Sequence, residues 1–74
     1  MLMTITGTVR YQDLGMGFWG IIDHSGQQWR PLNLPSALQK EGLEVHITAK
    51  KAKDQMSSVM WGTAIEITDY QPVS

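Results

Sequence analysis

The sequence predicts an all-β domain: five antiparallel strands closed into a small barrel, with one short helix between strands three and four. Three observations predict it. The chain has 74 residues, 42% of them hydrophobic, which suffices for one thin core and leaves no room for a second domain. Apolar and polar residues alternate with period two along much of its length. The first and longest alternating run is broken by a glycine, Gly7, as a strand must be if it bends to serve two sheets. Closing the sheet removes exposed edges, which an all-β chain of this size needs.

The elements follow in order. From Met3 to Tyr11, the residues Met3, Ile5, Val9 and Tyr11 share the parity of Gly7. Thr4, Thr6, Thr8 and Arg10 take the other, so the first set is expected inward and the second outward. Asp13-Leu14-Gly15-Met16-Gly17 is turn chemistry. Phe18 to Asp23 forms strand two, apolar on both parities. Asp23-His24-Ser25-Gly26 makes a hairpin loop, and Gln27 to Arg30 a short strand three.

Pro31 and Pro35 then end the strand pattern. Asn33 is suited to capping, Pro35 to a first helical turn, and Gly42 to a stop, which leaves one or two turns over 36–41. Leu34 and Leu38, four apart, would form a lid on the core. Glu44 to Ala52 is strand four, with Val45, Ile47 and Ala49 inward. Residues 53–58 read as a polar loop, and 59–68 as strand five, with Trp61, Ile65 and Ile67 inward. The ordered domain spans about 3–70, and 71–74 reads as a flexible tail.

The run Gly20-Ile21-Ile22-Asp23, Gly26, Trp29, Pro31-Leu32-Asn33-Leu34-Pro35, Leu38, Gly42, Val45, Ile47, Trp61-Gly62 and Ile65-Glu66-Ile67 resembles small prokaryotic OB-fold-like domains of uncharacterised role. The resemblance covers about residues 3–70 and rests on turns, caps and core. It implies the barrel and carries over no catalytic residue. OB-folds as a class take oligonucleotides, oligosaccharides or proteins, so the class alone leaves the ligand open.

Composition narrows the function. Six basic against seven acidic side chains give a net charge of −1, which argues against tight binding of nucleic acid by bulk charge. Cysteine is absent, which excludes disulfides, a thiolate zinc site and a cysteine nucleophile. The first residues carry no basic region followed by a long apolar run, so no secretory signal is read, and no segment is apolar for long enough to span a bilayer. A mature chain whose signal had been removed would read the same. The default expectation is a cytoplasmic protein with no membrane partner.

Catalytic motifs fail on inspection. Gly15-Met16-Gly17-Phe18-Trp19-Gly20 spells G-x-G-x-x-G, but a strand follows it where a dinucleotide site needs a helix. The simpler reading is a glycine-rich turn plus a glycine that lets a tryptophan pack across a neighbouring strand. Asp23-His24-Ser25 holds the letters of a triad, yet neighbours in one loop cannot converge as a relay requires. His24 and His46 lack a third ligand. No catalytic residue, cofactor or metal is therefore expected, and the chain is expected not to be an enzyme.

A binding face is the stronger expectation. Outward parity on strand one gives Arg10. If Trp29 faces inward, Gln28 and Arg30 face outward on strand three. Strand two between them contributes Phe18 or Trp19, of which one faces out. Lys50, Lys51 and Lys53 would border this face, while most acids, Glu41 among them, fall elsewhere. Arginines interleaved with an aromatic suit weak binding of single-stranded nucleic acid. They equally suit a protein interface, so the alternative is a protein-interaction or self-association module, a weak homodimer included. Tyr11 and Trp61 share the parity of core residues and are read as structural.

Overall fold

A computed structural model describes residues 2–52 and 61–72. Its strands are β1 (Met3–Gln12), β2 (Phe18–Asp23), β3 (Gln28–Pro31), β4 (Glu44–Lys51) and β5 (Thr63–Pro72), with a single 3-10 turn over Ser36–Leu38. They form one closed barrel in the order β1-β2-β3-β5-β4. This is the all-β five-stranded barrel the alternation predicts, and it is compatible with an OB-like fold. One row of cross-strand partners, followed around the ring, returns to β1 with a stagger of about ten residues, the offset by which strands tilt to close a narrow barrel.

β1 is long because it serves two partners. Its first half, Met3 to Thr8, pairs with β4, and its second half, Gly7 to Gln12, pairs with β2. Gly7 lies in both ladders. A Cβ there would stand 2.5 Å from the Ile22 carbonyl oxygen and 2.7 Å from the Asp23 Cα. Gly7 is thus required by the close passage of β2's backbone.

The inward parity builds the core: Ile5 and Val9 from β1, Ile21 from β2, Trp29 from β3, Val45, Ile47 and Ala49 from β4, and Ile65 and Ile67 from β5. Leu38 enters from the 3-10 turn and is fully buried, with Leu34 and Leu43 packed beside the cluster. The lid expected from the Leu34–Leu38 spacing therefore forms.

Several expectations are corrected. The barrel is not wholly antiparallel: β3 and β5 run parallel, with Trp29 opposite Thr63 and Pro31 opposite Ile65. Periodicity cannot reveal the direction of strands that meet only at closure. The expected helix is a lone 3-10 turn, and Asn33 does not cap it. Instead the Asn33 side chain accepts from the Ile67 amide at 2.8 Å and donates to the Ile67 carbonyl at 3.1 Å, continuing the parallel seam with an amide side chain where β3 has ended. Strand β5 begins at Thr63, later than expected, and reaches Pro72, so Gln71 pairs with His46 where a tail was expected. Tyr11 has the inward parity but lies at the end of the barrel, 46% exposed. Trp61 precedes β5 and is not part of the core cluster.

Candidate nucleic-acid interface

The outer surface of β1, β2 and β3 follows from register. Arg10 on β1 is the cross-strand partner of Gly20 on β2. Ile21 is opposite Trp29, which sets Gly20 level with Arg30 on β3. Trp29 is buried, so Arg30 and Gln28 point outward as expected. The two arginines flank Gly20, one strand away on either side, with Cα atoms about 10 Å apart by strand spacing.

Gly20 is covered by Trp61. The benzo-ring atoms Cη2 and Cζ3 of Trp61 fill the space where a Gly20 Cβ would be. Gly20 is buried although it faces outward, and Trp61 remains half-buried. Phe18, on the same parity of β2, meets the Trp61 ring edge-on, with centroids 5.4 Å apart at 63°. Arg30 donates from Nε to the Trp61 carbonyl at 3.3 Å, holding the backbone that carries the indole. Gly62 follows with φ of +69°, and a Cβ there would stand 3.0 Å from the Gln28 carbonyl oxygen. That glycine lets the chain turn from the outer face into β5 beside β3. Trp61 is therefore an outer-face residue, and the glycine-plus-tryptophan packing read from the sequence is the Gly20–Trp61 contact.

Strand two resolves the Phe18–Trp19 choice. Phe18 faces out. Trp19 faces in, packs against the core, and makes an edge-on contact with Tyr11 at 5.1 Å and 73°. Trp19 thus leaves the candidate face and Trp61 enters it. Sequence reasoning missed Trp61 because it lies just outside β5, where strand parity does not apply. The findable signal was Gly20, a bare outward position on a strand.

The basic residues divide. Arg10 is ion-paired with Glu41 at 3.0 Å, both side chains 53% exposed. The other Glu41 oxygen accepts from the Tyr11 amide at 2.7 Å. These contacts, the Tyr11 amide first and the Arg10 guanidinium second, hold the Glu41 carboxyl below its ordinary pKa. The expectation that Glu41 lies away from the arginines is thus overturned: the turn after Leu38 returns beside β1, with Gly42 donating to the Val9 carbonyl.

Lys50 and Lys51 end β4, opposite Glu66 and Ile65 of β5. Both are exposed, and with Leu2 and Met3 they line a shallow hollow of about 410 Å³. They lie beyond Arg30 with β5 between: Ala52 donates to the Ala64 carbonyl, and Ala64 is level with Arg30. No ion pair involves either lysine among the described residues. Lys53 lies outside the described residues.

Asp23 is committed to the hairpin between β2 and β3. Asp23 accepts from the Ser25 hydroxyl and from the Ser25 and Gln27 amides through Oδ1. Through Oδ2 it accepts from the Trp29 indole at 3.0 Å. These donors, the Ser25 hydroxyl first and Trp29 second, lower its pKa from 3.8 to about 2. The letters of the triad thus close a hairpin. His46 Nδ1 and the Thr6 hydroxyl are hydrogen-bonded at 2.7 Å. Among the described residues no three His, Cys, Asp or Glu side chains gather as metal ligands would, and no helix is long and apolar enough to cross a membrane. Comparison with protein-family models, curated proteins and solved structures gives no match.

Proposed function

We propose that the chain is a small, non-catalytic binding module whose outer β1–β2–β3 face takes single-stranded nucleic acid weakly. The observation that carries this reading is the Trp61 indole seated on Gly20, with Arg10 and Arg30 in register on either side. Base–aromatic stacking contributes about 1–3 kcal/mol per base, and flanking arginines supply phosphate contact or cation–π stacking. The resemblance to OB-fold-like domains supports the same reading, because that barrel class presents this face to oligonucleotides. Weak binding is expected from a net charge of −1. The lysines would extend the track past Arg30. A chain without cysteine also suits a cytoplasmic setting.

The test is a titration of a labelled single-stranded oligonucleotide, read by amide shifts. Shifts at Phe18, Gly20, Gln28 and Arg30 that weaken steeply from low to physiological salt support the reading. Loss of binding in Trp61→Ala with the barrel intact supports it further. No shifts at millimolar oligonucleotide overturn it.

A second reading has its own observation. Tyr11, Leu14 and Met16, at and beside the β1–β2 hairpin tip, are exposed, Met16 completely. Such a tip suits a protein interface or self-association. Sedimentation at rising concentration tests the latter, because an apolar contact hardly responds to salt.

A further inference from the structure

Glu41 occupies the place on Arg10 that an anion would take. Its Oε2 lies 3.0 Å from Arg10 Nη1. Its Oε1 is held by the Tyr11 amide, the residue next to Arg10. A carboxylate on a guanidinium with a neighbouring backbone N–H is the arrangement a phosphate oxygen pair would adopt at the same atoms. The contact also joins the turn after Leu38 to the edge of the proposed face, so the acid is supplied by a segment 31 residues away in sequence.

We infer that Glu41 is a built-in competitor for phosphate at Arg10, a specificity-determining residue that sets how much charge the face offers a nucleic acid. The inference rests on the proposed nucleic-acid reading and names a determinant within it. With Glu41 in place Arg10 is neutralised, so its planar group is left to stack or to shape the face rather than to hold a phosphate. The exposed pair is screened and weakly held, so a polyanion pays little to displace it, and the effect is graded rather than all-or-none. The carboxylate stays charged throughout the neutral range, as its lowered pKa requires.

The experiment compares the wild-type chain with Glu41→Gln. Glutamine keeps an oxygen for the Tyr11 amide and removes the charge, so the fold is preserved, and the dispersion of the amide spectrum verifies this. Binding of a labelled oligothymidylate is measured across a salt series. The expected result is an affinity gain of about two- to five-fold at low salt, with the salt slope steeper by about 0.7, the value of one added phosphate contact on a single strand. A merely structural Glu41 would not steepen the slope. In parallel, inorganic phosphate is titrated against both proteins while the Arg10 Nε–H resonance is followed. It should move in Glu41→Gln and stay nearly still in the wild type. If both proteins bind the oligonucleotide with equal affinity and slope, the inference about Glu41 is overturned and the binding face stands. If neither binds the oligonucleotide, the nucleic-acid reading falls, and the Glu41 inference with it. If phosphate moves Arg10 equally in both, Glu41 is not a competitor.

Discussion

Trp61 and Gly20 share one space: the indole's benzo ring stands where a Gly20 side chain would begin. The contact ties the segment before β5 to the outer face of β2, and it makes the position of an aromatic platform depend on a missing methyl group.

Gly20→Ala is therefore expected to push Trp61 off β2 while leaving the core in place. The loss in stability should be about 1 kcal/mol, at the low end of overpacking, because the displaced group lies on the surface. The Phe18–Trp61 ring contact should be lost, visible as a shift of the Trp61 indole N–H resonance and easier acrylamide quenching. Oligonucleotide affinity should fall with it. Unchanged indole resonances would contradict the packing.

Gly7→Ala should be far more damaging. The added Cβ meets backbone of β2, the Ile22 carbonyl and the Asp23 Cα, which cannot swing aside as a side chain can. A loss of about 3 kcal/mol or more is expected, read as a lower denaturation midpoint at constant m-value. A loss under about 1 kcal/mol would mean that β2's backbone does not pass so close to Gly7.

Leu38→Ala tests the lid. Leu38 is fully buried and comes from a 3-10 turn of only three residues. Its truncation should cost about 2–5 kcal/mol. Trp61→Ala, at a half-buried site outside the core, should cost less than half as much despite the larger side chain. A reversal of that order would return Trp61 to the core.

Asp23 sets an acid limit. Its pKa is lowered from 3.8 to about 2 in the folded chain. The folded state therefore binds fewer protons than the unfolded state between these values, and stability falls as the pH drops from about 4 toward 2. The contribution is fully present above that window. Asp23→Asn should flatten the slope in this range and lower the midpoint at neutral pH, because one amide oxygen cannot serve the Ser25, Gln27 and Trp29 donors together. Denaturation series at pH 2, 3, 4 and 6 check it.

Much of this was legible in period two. Ile5, Val9, Val45, Ile47, Ala49, Ile65 and Ile67 follow parity into the core, and a glycine inside a β-branched run marks Gly7, which lies in the ladders of both partner strands of β1. Arg10 and Arg30 were placed on one face by the same rule. What parity could not supply depends on contacts between distant segments. Trp61 precedes its strand, so its side is set by Gly62 and Gly20 rather than by alternation. Tyr11 has the core's phase but lies where the barrel ends. The parallel direction of β3 and β5 and the return of Glu41 to Arg10 are products of closure, and nothing local to residues 28–31 or to Glu41 announces them.

The parallel seam also orders events in time. β5 pairs with β3 on one side and β4 on the other, and Ile65 and Ile67 complete the core. While the chain is being synthesised, β1 to β4 can form only an open, twisted sheet with two raw edges. The ring becomes watertight once residues beyond Thr63 are free to dock, and such long-range pairing is slow compared with hairpin formation. Until β5 docks, the open edges of β3 and β4 are free to pair with other chains, and the Asn33 clasp on Ile67 holds β5 in place beyond the end of β3.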